Sequence, residues 1–291
     1  MVPLDLVRLS SLMRRTSGRR EISVGLIDGP VNTSHPDLAG SSIQEVPGKL
    51  RGTCAHSSTT ACMHGTFVAG ILSARRGSAA PAICPGCTLL VRPIFAETGS
   101  NGDMPSATPE ELAAAIADTV GAGARVINLS AALLSPSAKG ERELTQALDF
   151  AAARRVITVA AAGNQGMVGS SAITRHPWVI PVAGCDVSGR PLDESNFGCS
   201  IGRRGLSAPA QDIASLGLNG EPRKFHGTSA AAPFVTGTIA LLLSEFPSAS
   251  DSEVKLALLN ANAARRKSVV PPLLDAWAAY EVISKGRGES L

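Results

Sequence analysis

Four residues in this chain have types and neighbours that together could do acyl-transfer chemistry. Ser229 lies in His226-Gly227-Thr228-Ser229-Ala230-Ala231-Ala232-Pro233, between a Gly-Thr turn and an apolar run of helical length. The turn exposes the hydroxyl. The helix start offers unpaired N–H groups and the positive end of its dipole to a developing negative charge. Pro233 is read as belonging to the helix start, where first-turn N–H groups have no intrahelical partner to lose. Alone, this motif describes only a serine-capped helix. A serine hydroxyl becomes a nucleophile at neutral pH when a base is within hydrogen-bond reach and a third group fixes the tautomer of that base and stabilises its cation. The chain offers His64, read as opening the helix His64-Gly65-Thr66-Phe67-Val68-Ala69-Gly70, and an acid in Leu26-Ile27-Asp28-Gly29. It also offers an amide, Asn164 of Ala162-Gly163-Asn164-Gln165-Gly166, which could donate to a tetrahedral oxyanion. Each of these residues alone is an ordinary turn former or surface residue. Jointly they make a nucleophile, a base, an orienting acid and an oxyanion donor.

The elements that must position them follow from hydropathy and punctuation. Residues 4–17 read as a short helix, followed by an arginine-marked link. The first strand is read at Ile22–Asp28, where Val24-Gly25-Leu26-Ile27 is apolar on both faces, as in a central parallel strand. Residues 40–62 read as irregular polar surface. Further strands are expected at Thr88–Phe95, Arg125–Ser130, Val156–Ala161 and Trp178–Gly184, with short strands between Pro191 and Phe225. Thr108-Pro109-Glu110-Glu111 and Ser250-Asp251-Ser252-Glu253 are capping-box helix starts. Other helices are expected at Glu141–Arg154, Thr228–Phe246 and Leu273–Ser284. Strands alternating with helices imply a parallel sheet covered on both faces. In such sheets the reactive crevice lies beyond the carboxyl ends of the strands, where Asp28 and Asn164 fall.

The order Asp, His, Ser along the chain is that of subtilisin and not that of chymotrypsin or the α/β-hydrolases. With the asparagine motif in its place, the chain resembles a subtilisin-like serine peptidase of the S8 family from about Ile22 to Tyr280. The resemblance implies a three-layer α/β fold: a central, mostly parallel sheet with helices on both faces. It implies one peptidase domain over residues 21–291, after a short extension over residues 1–20. It makes Ser229 the attacking nucleophile, His64 the general base and then acid, and Asp28 the residue that orients the imidazole. Asn164, with the Ser229 backbone N–H, becomes the oxyanion hole; in subtilisin, loss of the corresponding asparagine costs ~10²–10³ in turnover. Peptide would bind as an added strand. Ser130, Ala131 and Ala132 would lie on one side, and Ala161 and Gly163 on another wall. The family commonly has Ser-Leu-Gly-Gly where this chain has Ser130-Ala131-Ala132-Leu133, so side chains narrow that side of the expected cleft. His35, in Ser34-His35-Pro36-Asp37-Leu38, reads as structural.

Several stretches resemble a narrower group, the cyanobactin maturation proteases, which process ribosomally made precursor peptides. These are Leu26-Ile27-Asp28-Gly29-Pro30-Val31, the compact Ala162–Gly166 loop leading to His176-Pro177, and Asp186 through Gly198. That likeness implies a peptide partner from which a leader is cut. A degradative subtilisin, a macrocyclase and a catalytically silent peptide-binding module are the alternatives. Aminolysis to a macrocycle needs water excluded by a cap near the histidine. No amphipathic helix pair is read between Asp28 and His64, so hydrolysis is expected. No metal or other cofactor is expected. Many subtilisins hold calcium after the histidine helix, but Ser73-Ala74-Arg75-Arg76-Gly77-Ser78-Ala79-Ala80-Pro81 offers no carboxylate or Asn as a hard oxygen ligand. Phe67 stands where the family's His-Gly-Thr-His motif has its second histidine.

Bulk properties narrow the classes. The 291 residues carry a formal charge of only +3, with 3% aromatics and scattered Lys and Arg, which argues against a nucleic-acid platform. No apolar run has the length of a membrane span. The start, Met1-Val2-Pro3-Leu4-Asp5, carries an early acid and does not read as a secretory signal, so a cytoplasmic protein is expected. The six cysteines are Cys54, Cys62, Cys84, Cys87, Cys185 and Cys199, and their pairing is open. Cys84-Pro85-Gly86-Cys87 is compatible with structural thiols, a local disulfide, a redox pair or half of a zinc site.

Overall fold

The computed structural model describes residues 3–56, 59–97, 107–130, 138–218, 220–261 and 268–288. Helices α1 (Pro3–Leu6) and α2 (Leu9–Arg15) precede β1 (Ser23–Asp28), followed by β2 (Ser42–Glu45), α3 (Thr60–Ser73), β3 (Thr88–Pro93) and α4 (Pro109–Gly121). Next come β4 (Val126–Leu129), α5 (Ala138–Ala153), β5 (Ile157–Ala161), α6 (Ala172–Arg175) and β6 (Val179–Cys185). The chain continues through α7 (Cys199–Arg204), β7 (Leu206–Pro209), the hairpin β8 (Ile213–Ser215) and β9 (Arg223–Phe225), and α8 (Thr228–Glu245). It closes with α9 (Asp251–Asn260) and α10 (Ala276–Gly286).

Seven strands form one sheet in the order β2-β3-β1-β4-β5-β6-β7, and every pairing is parallel. Alternation along each strand feeds two cores. Val24 and Leu26 of β1, Val126 of β4 and Ile157 and Val159 of β5 join the core under α8, with Phe234, Val235 and Leu241. Ile27, Ile127, Leu129 and Ala160 point the other way, toward Leu112 and Ile116 of α4 and Leu144 and Leu148 of α5. The three-layer α/β expectation therefore describes the fold. Leu9 and Leu12 of α2 have no exposed surface and join the α8 core. Ion pairs also tie the N-terminal segment down, Arg8 with Asp275 and Glu281, and Arg15 with Glu245.

Local chemistry explains where element boundaries match the sequence reading and where they move. Thr108 and Ser250 each form both halves of a capping box. The single helix expected over residues 4–17 is two, broken at Arg8, which is left-handed (φ 52°). The region read as irregular contains β2, a four-residue polar strand at the sheet edge, too short to carry a periodic signal. The last helix begins at Ala276 and not Leu273, because the Asp275 side chain accepts from the Ala278 N–H and caps it there. Pro233 is the sixth residue of α8, beyond the first turn. It therefore does remove one intrahelical bond, the one that the Ser229 carbonyl would have accepted.

Candidate active site

β1 and β4 are hydrogen-bonded neighbours at the centre of the sheet, so their carboxyl ends open on the same edge. Asp28 is the last residue of β1 and is fully buried. Its Oδ1 accepts from the Gly29 N–H at 2.6 Å and lies 2.6 Å from His64 Nδ1. Its Oδ2 is buried without a protein partner. The two oxygens of one carboxylate thus have different surroundings.

His64 does not open its helix, as the sequence suggested. The helix begins at Thr60, capped by the Thr59 hydroxyl on Cys62 N–H, and His64 sits one turn in. What brings the imidazole to Asp28 is close backbone approach. A Cβ on Gly29 would lie 1.9 Å from the Ala61 carbonyl oxygen, and one on Gly65 would lie 2.4 Å from the carbonyl oxygens of Gly29 and Pro30. Only glycine at both positions lets α3 rest on the turn after β1. The His64 side chain is 13% exposed. Burial disfavours its cation, but the charge of Asp28 and the hydrogen bond that His64 donates to it outweigh that, so the pKa is raised. Phe67 lies fully buried on the same helix and meets the Phe225 ring edge-on at 4.7 Å. Phe225 is 6.3 Å from the imidazole, so an aromatic pair backs the histidine.

Ser229 is the second residue of α8, half-buried, with its Oγ 3.5 Å from the Ser130 carbonyl. Ser130 directly follows β4 and is itself held: Asn128 Nδ2 donates to its Oγ at 2.9 Å, and Thr236 of α8 donates to Asn128 Oδ1 at 2.9 Å. This buried chain fixes the serine-bearing helix to the strand end.

Asn164 lies in the loop after β5. Thr228 donates to its Oδ1 through both N–H (2.8 Å) and Oγ1 (3.0 Å). The Thr228 hydroxyl meanwhile accepts from the Gly163 N–H at 3.1 Å. Both backbone N–H groups are obligate donors, so the oxygen of the Asn164 amide must face Thr228 and its Nδ2 is left to donate elsewhere. Such an Nδ2, next to the start of α8, is of the chemical type that can donate to an oxyanion.

The structure thus brings Asp28 onto His64, Ser130 onto Ser229 and Gly163 with Asn164 onto Thr228. Ala161 is buried in the core under α8. Ala131 and Ala132 lie outside the described residues. Thr228, Asn128 and Thr236 are polar residues of the site that the sequence reading did not single out. Asn128 and Ser130 stand two apart, on one side of an extended segment, which is the signal that could have paired them.

Among the described residues one group approaches metal-ligand geometry: Cys54, Cys62 and Glu97. Its chemistry points elsewhere. Cys54 and Cys62 are joined as a disulfide, with no thiolate to offer. The Glu97 carboxylate accepts from the N–H groups of Ala55 and His56 at 2.8 and 3.0 Å. The stretch after α3 is organised by guanidinium groups. Arg75 pairs with Asp37, and Arg76 donates to the carbonyls of Met13, Thr16 and Ile83. Cys84 and Cys87 are buried free thiols, and burial pushes the Cys185 thiol up to about 12.

A parallel α/β sheet that delivers a carboxylate–imidazole pair, a helix-borne serine and an oriented amide to one edge defines a serine hydrolase scaffold. Residues 19–275 match the subtilase family, so the chain belongs to that family of serine endopeptidases. Subtilisin DY of Bacillus licheniformis is 29% identical over 260 residues, covering 87% of this chain and 87% of that protein. Sequence relatives differ in length, and the chain spans only 39% of one of them. Among solved structures, the protease domain of PatA superposes with a TM-score of 0.83 at 32% identity, over 92% of this chain and 97% of that one. The prenylagaramide maturation protease PagA gives 0.81 at 29% identity, over 94% and 98%. No helix among the described residues is long and apolar enough to cross a membrane.

Proposed function

We propose that this protein hydrolyses peptide bonds through an acyl-enzyme on Ser229, and that it cuts a leader from a ribosomally made precursor peptide. The buried Asp28–His64 contact at 2.6 Å is the observation that carries the chemistry. With Nδ1 held by Asp28, the imidazole offers Nε2 as base. Ser229 Oγ attacks the scissile carbonyl and its proton passes to His64. The oxyanion is taken by Asn164 Nδ2 and the Ser229 N–H at the start of α8. His64 then protonates the leaving amine, and water repeats the sequence to release the acid. All proton and charge transfers fall to the chain's own side chains, so the scheme uses no cofactor. The peptide lies as an added strand beside Ser130, with Gly163 opposite.

The precursor-peptide assignment is supported by the likeness to PatA and PagA over nearly their whole domains. Hydrolysis is supported over cyclisation by the segment before α3. Between β1 and α3 the described residues form one short 3-10 turn (Pro36–Leu38) and β2, with no capping helix pair. The sequence likeness to subtilisins supports a second reading, a general degradative protease. The test is to incubate the full chain and its Ser229→Ala variant with casein and with precursor peptides encoded beside the gene. A single Ser229-dependent cut in a precursor, with casein left whole, is expected. Casein cleaved at many sites would make it a degradative enzyme. No cleavage of either, and no labelling of Ser229 by a fluorophosphonate, would make it a peptide-binding module.

A further inference from the structure

We infer that Asn196 is a positioning residue of the oxyanion hole, setting the backbone conformation of Asn164 from a separate segment of chain. The inference rests on the reading of Asn164 as the oxyanion donor.

The loop that carries Asn164 has no regular structure of its own. It is held instead from residues 194–198, and Asn196 is the centre of that grip. Its backbone N–H donates to the Gly163 carbonyl at 2.9 Å. Its Oδ1 accepts from the N–H groups of Gln165 (3.1 Å) and Met167 (3.0 Å). Its Nδ2 donates to the Ala162 carbonyl at 3.1 Å and to Gln165 Oε1 at 2.7 Å. The Gly163 carbonyl and the Gln165 N–H belong to the two peptide units that flank Asn164. Both are fastened to one residue, so Asn196 fixes the two backbone dihedrals of Asn164.

The chemistry of position 196 is specific. Gln165 and Met167 present obligate donors and Ala162 presents an obligate acceptor, so the group between them must accept on one side and donate on the other. A carboxamide does this; a carboxylate accepts on both sides. The fit is also steric. A Cβ on Gly163 would lie 2.4 Å from Asn196 Nδ2, so the amide occupies the space of the missing side chain, while Gly163 takes a φ of +104°. Backbone pairs extend the grip on either side: Gly166 N–H to the Glu194 carbonyl at 2.8 Å, Phe197 N–H to Met167 at 2.9 Å and Gly169 N–H to Phe197 at 2.7 Å. Asn164 is therefore clamped from two directions, its side-chain oxygen by Thr228 and its main chain by Asn196.

A residue acting through Asn164 has no effect on turnover once Asn164 is gone, whereas a residue that merely stabilises the fold acts regardless. The experiment is a double-mutant cycle in the full chain with Asn164→Ala, Asn196→Ala and the pair, read by hydrolysis of p-nitrophenyl acetate after subtraction of the Ser229→Ala rate. This ester needs the nucleophile and the oxyanion hole but no peptide recognition. Asn196→Ala is expected to lower kcat by about 10- to 100-fold with KM within about threefold, the scale of a donor displaced and not deleted. In the Asn164→Ala background the same change is expected to cost less than about threefold. Asn196→Asp keeps the two accepting contacts and the size, and loses both donated ones. It is the variant to use if the alanine protein does not fold, and the same non-additivity is expected. Equal losses in both backgrounds would overturn the positioning role while leaving Asn164 as donor. An Asn164→Ala protein with unchanged kcat would overturn the donor assignment itself, and a Ser229→Ala protein as active as the parent would overturn the hydrolase reading beneath both.

Discussion

Replacing Asp28 by asparagine separates two roles that an acid in this position combines: holding a tautomer and supplying a charge. In a triad whose acid becomes an amide, the amide can turn its NH₂ to the imidazole, lock the wrong tautomer and cost about 10⁴-fold in turnover. Here that rotation is blocked. The same Oδ1 that meets His64 also accepts from the Gly29 N–H at 2.6 Å. An NH₂ placed there would oppose that N–H and leave buried donors unsatisfied, at about 1–3 kcal/mol each. The asparagine therefore keeps its oxygen toward His64, and the Nδ1–H tautomer survives. What is lost is the negative charge. Two unit charges about 4 Å apart at an effective dielectric near 20 interact by about 4 kcal/mol, or roughly 10³-fold in rate. The new NH₂ replaces Oδ2, which has no protein partner, so stability falls by about 1–3 kcal/mol as well. The assay is the pH dependence of kcat/KM for a cleaved peptide, with a thermal melt. Asp28 is what raises the His64 pKa against burial, so its loss moves the acid limb of the profile to lower pH. A loss below tenfold at neutral pH, or an acid limb that stays where it was, would refute the electrostatic argument.

Three further predictions test other parts of the molecule. Changing Cys54 and Cys62 together to serine opens a loop of sequence separation 8 ahead of α3. The loop-entropy relation puts this near 2.5 kcal/mol, and a melting temperature lowered by roughly 5 °C is expected, with dithiothreitol lowering the parent protein's to match. Lys255 is buried, donates to the carbonyls of Pro177 and Trp178 at 3.0 and 2.8 Å, and lies over the Trp178 ring. Burial, then the charge of Arg204, lower its pKa to about 8. Between about pH 8 and the ordinary lysine range the unfolded chain binds more protons than the folded one, so stability rises with pH across that window. Chemical denaturation should show the rise in the parent protein and not in Lys255→Met. Arg76→Met removes three donated bonds, two that join the end of α2 to the segment after α3 and one to Ile83 within that segment, and should lower stability by about 1–2 kcal/mol and speed proteolytic trimming before β1.

The parts of this protein that were legible in the sequence are those specified by residues close together along the chain. Capping boxes at Thr108 and Ser250, the two-sided apolar run of β1 and the stops at Gly121 and Gly123 are local codes, and the helices and strands stand where those codes place them. The Asp28, His64, Asn164 and Ser229 motifs were legible because each carries its neighbours with it. One misread boundary, the start of the helix that carries His64, owes part of its position to contacts distant along the chain. His64 looked like a helix opener because the preceding turn, Thr60–Met63, follows a polar, irregular stretch and reads with it, although Ala61, Cys62 and Met63 are apolar. That turn is held by the Thr59 cap, the Cys54–Cys62 disulfide and the Gly29–Gly65 approach, none of which is periodic.

The same distinction separates the reacting groups from the groups that hold them. The candidate nucleophile, base and acid announce themselves by type, because few residue types can do their chemistry. Their supports are common residues chosen for one hydrogen-bond pattern: Thr228 because its hydroxyl accepts from Gly163 and donates to Asn164, Thr236 because it reaches Asn128 from a helix 108 positions away, and Asn196 because it can accept and donate at once. Threonine and asparagine at such places look like caps and turns until the chain is folded. Which support can be replaced is therefore a question of donor and acceptor counts and not of size. Thr228→Ser keeps both hydroxyl contacts and should retain most activity. Thr228→Val has nearly the same shape but leaves the Gly163 N–H without an acceptor and removes one of the two donors that orient Asn164. It should lose activity by about tenfold or more, on the scale of the roughly 1–3 kcal/mol that a buried donor left unpaired costs. Equal activity of the serine and valine proteins would mean that shape, and not the hydroxyl, holds the amide in place.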